Sequence, residues 1–258
     1  MKIKKNFLPV VLALSTMVTG STAFLTSTVH ADTESVVQKN IQKPLDFNSL
    51  ANKPLADAWG EKFYHQWIPN VSSTEKEEFK SYMETGYHHL NTYLLENKGQ
   101  LTGKDIKMEQ KIKHLDRAFS SSSVPDDIVV YRRSKESSFG LTEGTLIKDN
   151  KINEQEFSEL KNKLLGKYKT DYTYMSTSIL KDPSESFNGR PILIRLTVPK
   201  GNHGAYIAPL SAYPWEMEML LPRNTTYKVN DISYVKNGNS NYVLVDATIQ
   251  KQWKTCRD

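Results

Sequence analysis

The sequence predicts an α+β fold in which helices come first along the chain and strands follow. In the first part of the chain apolar residues recur at helical spacing, as at Trp59, Phe63 and Trp67. In the second part short β-branched and aromatic runs dominate, such as residues 191–198 and 242–249. Helices followed by strands are typical of an α+β domain, with one or two mostly antiparallel sheets and the helices packed on them.

Three helices are predicted before the strands begin. The first contains the apolar repeat that ends at Trp67. The second begins at a capping-box pattern, in which Ser72 precedes Glu75 by three residues, and continues to about Glu96. The third presents the apolar side chains around Leu115 on one face, and a serine run then ends the helical pattern.

Strands are predicted from residue 127 onward. A helix with an apolar stripe, from Asn153 to about Leu165, interrupts them. The β-branched, aromatic or alternating runs are residues 127–132, 174–180, 191–198, 216–221, 225–229 and 242–249.

The N-terminus reads as a secretory signal peptide over residues 1–31. Lysines precede an apolar stretch, and small residues lead to Ala31, after which cleavage is expected. The stretch is shorter than the ~20 residues of a membrane-spanning helix, so the sequence predicts a secreted protein without a membrane span; an uncleaved helix is the alternative. Residues 32–53 are polar and predict an extended leader, and residues 54–258 predict a single domain.

The net charge, the single cysteine and the spacing of the histidines argue against several classes of function. Loss of the three lysines of the signal peptide lowers the formal net charge from +5 to +2, which is too small to predict binding to nucleic acid. The lone cysteine, Cys256, excludes an intramolecular disulfide. The histidines show no ligand spacing, so no metal site is predicted.

A pair of carboxylates, Glu216 and Glu218, is the candidate site. In a strand, residues two apart share a face, so we expect both acids to act on one small substrate. The same Glu-x-Glu pattern occurs at residues 75–77 and 154–156, but in predicted helices, where residues two apart diverge by about 200°. The alternative for Glu216 and Glu218 is an edge strand with solvated glutamates.

Three nearby features favour a site over a solvated strand. Ser176 lies on a strand rich in hydroxyl groups, which can hold a neighbouring carboxylate in one rotamer. Phe187 and Arg190 share one loop, where a ring and a guanidinium suit a flat heterocycle and a phosphate. Arg132, at the end of the first strand, is another cation for a phosphate, although a solvated strand end is an equal alternative.

In this order, the features resemble the bacterial mono-ADP-ribosyltransferase toxins, above all the single-domain exoenzymes that modify Rho GTPases. The resemblance rests on "DAWG" at residues 57–60, "ENKG" at 96–99, "FNGRPI" at 187–192, "YIAPLSAY" at 206–213 and "MEMLLPR" at 217–223. It implies a two-sheet ADP-ribosyltransferase core in residues 54–258, with NAD as the substrate and no metal.

The resemblance also implies roles for individual residues. Glu218 would be the catalytic acid, Ser176 would hold it, and Glu216 would prepare the acceptor. Tyr213 and Trp215, directly before the acids, are expected to contact the protein substrate. The residues implied to bind NAD are Arg132, Asn91, Phe187, Arg190, Ser176 and Glu218.

Two departures from the Rho-modifying pattern bear on the acceptor and on NAD. Those exoenzymes carry Gln where this chain has Glu216, and Glu at this position goes with transfer to arginine. A Leu at position 95 replaces the Arg that usually follows the helical Asn, which removes one expected NAD contact.

We therefore expect a monomeric secreted enzyme that places ADP-ribose on an arginine of a host protein, with actin or a small GTPase as the target. The alternatives are a Rho-asparagine transferase and a secreted binding protein that has lost catalysis. A glycosidase is less favoured, because its two carboxylates usually come from separate elements.

Overall fold

The helices precede most of the strands, as the sequence predicts. The computed structural model describes residues 43–181, 189–236 and 240–251, all within one compact unit. The α-helices are α1 Lys53–Trp67, α2 Ser73–Ser81, α3 Tyr87–Glu96, α4 Ile106–Ser120 and α5 Glu154–Leu164. The strands are β1 Ile128–Ser134, β2 Ile147–Lys148, β3 Lys151–Ile152, β4 Tyr168–Asp171, β5 Met175–Ser178, β6 Ile192–Val198, β7 Ala205–Tyr206, β8 Glu218–Leu221, β9 Thr225–Val235 and β10 Tyr242–Ile249. Among the described helices, none is both long and apolar enough to span a membrane.

The predicted second helix contains a π-helical turn. Ser72 caps α2 with the expected capping box, since its hydroxyl accepts from Glu75 N–H and the Glu75 carboxylate accepts from Ser72 N–H. A π-helical turn, Tyr82–Gly86, then joins α2 to α3. Such turns are rare and often occur at functional sites.

Eight strands form one mostly antiparallel sheet in the order β4-β9-β10-β6-β1-β5-β8-β7. The β6–β10 pair is parallel and the other six neighbouring pairs are antiparallel. A single residue pair, Tyr131 with Ser178, joins β1 to β5. The two-sheet core expected from the resemblance is thus one sheet whose two parts are connected at one point.

A chain of aromatic contacts links the helices to the sheet. Trp67 packs edge-on against Phe79, and Phe79 against Phe119, with ring centroids 5.7 and 5.5 Å apart. Phe119 stacks on Tyr174 at 5.7 Å, and Tyr174 meets Tyr82 at 5.5 Å. These rings are all buried, and they hold the start of the π-helical turn against the sheet.

The predicted leader contributes to the fold before residue 54. Leu45 and Phe47 make parallel bridges to Ile128 and Leu180, and Phe47 is buried. Between them, Asp46 accepts a hydrogen bond from Arg195 at 2.7 Å. Because the segment is mostly polar, the two apolar residues Leu45 and Phe47, spaced as in a strand, were not recognised in the sequence. The fold therefore begins earlier than the sequence predicts.

Candidate active site

A cavity of about 410 Å³ opens where β1 and β5 separate on one side of the Tyr131–Ser178 pair. It receives residues from the sheet, from α3 and its preceding turn, and from the segment before β8. The lining residues are Tyr82, Met83, Tyr87, Asn91, Tyr131, Arg132, Arg133, Tyr174, Ser176, Thr177, Ser178, Arg190, Tyr213, Glu216 and Glu218. Most of the predicted site residues therefore meet in one cavity.

Glu218 is the buried acid of this cavity. It is the first residue of β8, opposite Ser178 of β5, and it is 9% exposed. Burial raises the pKa of its carboxyl to about 7, helped by the nearby Glu216, while a hydrogen bond with Ser176 and the charge of Arg132 act to lower it. The carboxyl therefore titrates near neutrality, as acids at active sites often do.

Glu216 also faces the cavity, but the strand predicted to carry it does not reach it. Glu216 ends a 3₁₀ turn, Pro214–Glu216, and β8 begins only at Glu218. Pro214 fixes its own φ and lacks an N–H, which suits the start of a helical turn. The prediction of one strand with both acids is wrong, although both acids line one cavity. Partial burial raises the pKa of Glu216.

The other two Glu-x-Glu sequences lie in helices, as predicted. Residues 75–77 belong to α2 and residues 154–156 to the first turn of α5. Neither pair lines the cavity. Secondary structure thus separates the candidate pair from the two that share its pattern.

Three arginines border the cavity, of which the sequence predicted two. Arg132 donates to the backbone oxygen of Ser176 at 2.7 Å, across the gap between β1 and β5. Burial and the charge of Arg132 lower the pKa of Arg190. Arg133 is buried with its guanidinium 4.4 Å from the centre of the Tyr242 ring. Sequence reasoning missed Arg133 because strand alternation points it away from Arg132, whereas the cavity extends around the open edge of β1.

Asn91 lies in the cavity wall and connects the helices to β5. Its amide nitrogen donates to the Tyr82 hydroxyl at 3.0 Å, and its amide oxygen accepts from Tyr174 N–H at 3.2 Å. Tyr82 and Tyr87, at the two ends of the π-helical turn, also line the cavity and were not predicted. The π-helical turn that places them gave no visible signal in the sequence.

Tyr213 and Trp215, on the segment directly before β8, are 54% and 61% exposed. Their rings meet edge-on at 5.3 Å. Tyr213 lines the cavity, whereas Trp215 lies outside the lining. Phe187, one of the residues expected to bind NAD, lies outside the described residues, as does Cys256. Leu95, at the position expected to hold an NAD-binding Arg, is 63% exposed and outside the lining.

The donor set fits an anionic dinucleotide better than a metal. Three guanidinium groups around a buried carboxyl suit two phosphates and a sugar that gains positive charge. Within the described part of the chain, no group of three or more His, Cys, Asp or Glu side chains is placed to hold a metal ion.

Residues 56–252 match the ADP-ribosyltransferase exoenzyme family. The chain belongs to this family. A relative, the mono-ADP-ribosyltransferase C3 of Clostridium botulinum C phage, is 33% identical over 207 residues, which cover 80% of this chain and 82% of the relative. NAD is the substrate of these transferases, and the resemblance to ADP-ribosyltransferase toxins is confirmed.

Solved structures of ADP-ribosyltransferase exoenzymes have the same fold. Plx2a, an ADP-ribosyltransferase toxin from Paenibacillus larvae, superposes with a TM-score of 0.74 at 33% identity, over 80% of this chain and 100% of that one. C3stau2 from S. aureus, solved with NAD, superposes with a TM-score of 0.71 at 26% identity, over 82% and 100% of the two chains. The predicted α+β fold, with N-terminal helices on a mostly antiparallel core, is confirmed.

Proposed function

We propose that this exoenzyme is a secreted toxin that transfers ADP-ribose from NAD to a small GTPase of the Rho class in a host cell, with release of nicotinamide. The observation that carries the proposal is the buried, hydroxyl-held Glu218 in an arginine-lined cavity. The target class follows the resemblance to the Rho-modifying exoenzymes and the similarity to a C3 transferase.

Glu218 would act on the sugar. When the bond between nicotinamide and ribose breaks, its electron pair leaves with nicotinamide and positive charge develops on the ribose. A fixed carboxylate beside that ribose stabilises the charge, and more strongly in a site that excludes water. Ser176 would keep the Glu218 carboxylate in one orientation and favour its ionised form.

The arginines would hold the diphosphate of NAD. Arg132 is already oriented by its hydrogen bond to the Ser176 backbone. This bond would tie the arginine that contacts a phosphate to the strand that lies beside Glu218. Arg190, and Arg133 as a third cation, offer further charge-assisted hydrogen bonds. Holding the diphosphate would fix the ribose relative to Glu218, which is a large part of what an enzyme contributes to such a reaction.

Glu216 supports a second candidate, transfer to arginine. A guanidinium has a pKa above 12, so it carries a proton and a charge that make it a poor nucleophile. A carboxylate at the mouth of the cavity would orient the guanidinium and accept its proton. An asparagine amide is neutral and gains less from a negative neighbour than from an amide that both donates and accepts.

Incubation of the mature protein with labelled NAD tests both candidates. Purified Rho and the free guanidine agmatine serve as acceptors, and mass spectrometry identifies the modified residue. Label on an asparagine of Rho supports the proposed function, and label on agmatine or on an arginine supports the second candidate. If neither acceptor is labelled and no nicotinamide is released, both proposals are wrong and a binding protein without catalysis is favoured.

A further inference from the structure

Met217, the residue between the two glutamates, has a left-handed backbone conformation. Its φ and ψ are 48° and 46°, a region that residues with a side chain seldom adopt. Four other non-glycine residues of the described ranges have a positive φ, and all four are exposed: Lys98, Asp149, Asn150 and Asn224. Met217 differs from them because it is fully buried, at 0% exposure.

Met217 joins the turn before it to the strand beside it. Its N–H donates to the carbonyl of Pro214 at 3.1 Å and closes the 3₁₀ turn. Its carbonyl accepts from Ile179 N–H, also at 3.1 Å, just past the end of β5. Its side chain belongs to the main hydrophobic core. The left-handed conformation persists because these contacts hold it from both sides.

Glu218 and Glu216 depend on Met217 to different degrees. Glu218 is held by its pairing with Ser178 in the sheet and by its carbonyl, which accepts from Ile207 N–H at 3.0 Å. Glu216 belongs to no strand, and its N–H donates to Tyr213 within the turn at 3.1 Å. The dihedral angles of Met217 therefore place Glu216 relative to Glu218.

We propose that Met217 is a positioning residue that determines how much ADP-ribose goes to the acceptor rather than to water. This inference rests on the proposed function. In both outcomes the bond from ribose to nicotinamide breaks and nicotinamide leaves with the electron pair. In transfer, the acceptor nitrogen forms the new bond and loses a proton, which passes to Glu216 if the acceptor is a guanidinium and to solvent if it is an amide. In hydrolysis, water forms the bond and its proton goes to solvent.

Substitutions at Met217 can distinguish the effect of its left-handed backbone conformation from the effect of its buried side chain. Isoleucine is branched at Cβ and resists the left-handed conformation. Leucine is not branched at Cβ and has nearly the volume of methionine, so M217L is the matched control for M217I. Glycine favours the conformation but removes the buried side chain.

The test measures transfer and NAD hydrolysis in the same preparation of each variant, with agmatine and purified Rho as acceptors. The ratio of the two rates does not depend on the fraction of folded protein. We expect the ratio to fall about tenfold or more in M217I, and to change less than about twofold in M217L and in the less stable M217G. Equal ratios in M217I and M217L, or an equal loss in M217G and M217I, would overturn the inference.

Crystal structures of M217I and M217L supply a readout that does not need activity. We expect the turn at residues 214–216 to leave the cavity in M217I and to stay in M217L. A turn that keeps its position in M217I contradicts the inference even if the wild-type protein proves inactive. Failure of the wild-type protein to consume NAD contradicts the proposed function and leaves this structural comparison in force.

Discussion

The start of β8 and the turn before it carry two glutamates of one motif in different surroundings. Glu218 is 9% exposed and paired in the sheet, and the pKa of its carboxyl is raised to about 7. Glu216 is half-buried on a 3₁₀ turn beside the exposed Tyr213 and Trp215. The strand holds Glu218 in a rigid position shielded from solvent. The turn holds Glu216 in a position that is more accessible to solvent.

Because their surroundings differ, we expect the two acids to have different roles in the reaction. Catalytic pairs of carboxylates commonly differ in role because their environments separate their pKa values. The acid in the strand is suited to stabilise charge on a sugar held inside the cavity. The acid in the turn is suited to meet an acceptor that arrives from solvent on another protein.

Removal of the strand acid should have the largest effect. We expect Glu218→Gln to lower both NAD hydrolysis and transfer by roughly 10²- to 10³-fold, because the cationic ribose loses a fixed negative charge. Release of nicotinamide measures both reactions. Glu77→Gln, at the exposed second acid of the Glu-x-Glu sequence in α2, is the matched control and should retain activity. Near-normal NAD hydrolysis by Glu218→Gln would show that Glu218 does not stabilise the ribose and that the two acids do not have the proposed roles.

Removal of the turn acid should affect transfer alone. For the second candidate, transfer to arginine, we expect Glu216→Gln to lower transfer to agmatine by about 10²-fold, the usual contribution of a general base, and to retain most NAD hydrolysis. Labelled agmatine and free ADP-ribose are measured in parallel. If the acceptor is an asparagine of Rho, the variant keeps its transfer to Rho, and the role of Glu216 in deprotonation is wrong.

The exposed tryptophan of the turn should matter for a protein acceptor but not for a small one. We expect Trp215→Ala to weaken transfer to the protein acceptor by about tenfold or more, since exposed tryptophans often dominate an interface. Transfer to agmatine should change much less. A similar loss with both acceptors would mean that Trp215 supports the turn itself through its contact with Tyr213.

The pH profile should sharpen the contrast between the two acids without any change of residue. Because the proposed role of Glu218 requires its ionised form and its pKa is about 7, kcat/KM for NAD hydrolysis should fall about tenfold for each pH unit below 7. The hydrogen bond from Ser176 lowers this pKa, so Ser176→Ala should move the profile to higher pH. A profile that is flat between pH 5 and pH 8 would contradict the buried position of the acid.

Local patterns predicted the elements that depend on local interactions. The capping box at Ser72, the apolar stripes of the helices and the β-branched runs gave α1 to α5 and the long strands. Short strands such as β4 and β7 gave no pattern, because their pairing depends on distant partners. The leader residue Phe47 was missed for the same reason, whereas the π-helical turn is local but gave no signal in the sequence.

The predicted site residues converge, but their geometry did not follow from the sequence. Asn91, Arg132, Ser176, Arg190, Tyr213, Glu216 and Glu218 line one cavity. The strand rule placed Glu216 on β8, whereas the left-handed backbone of Met217 makes the strand begin only at Glu218. Arg133 was missed because the open edge of β1 exists only where β5 separates from it.

The sequence by itself determined which chemical groups are available: two carboxylates two residues apart, a hydroxyl-rich strand, and arginines on the first strand and on the loop. Those groups follow from side-chain identity and local periodicity. Only the tertiary structure decided which carboxyl is buried with its pKa raised to about 7, and which is only half-buried. The reason is physical: desolvation and neighbouring charges, which set a pKa, come from distant segments that meet on folding.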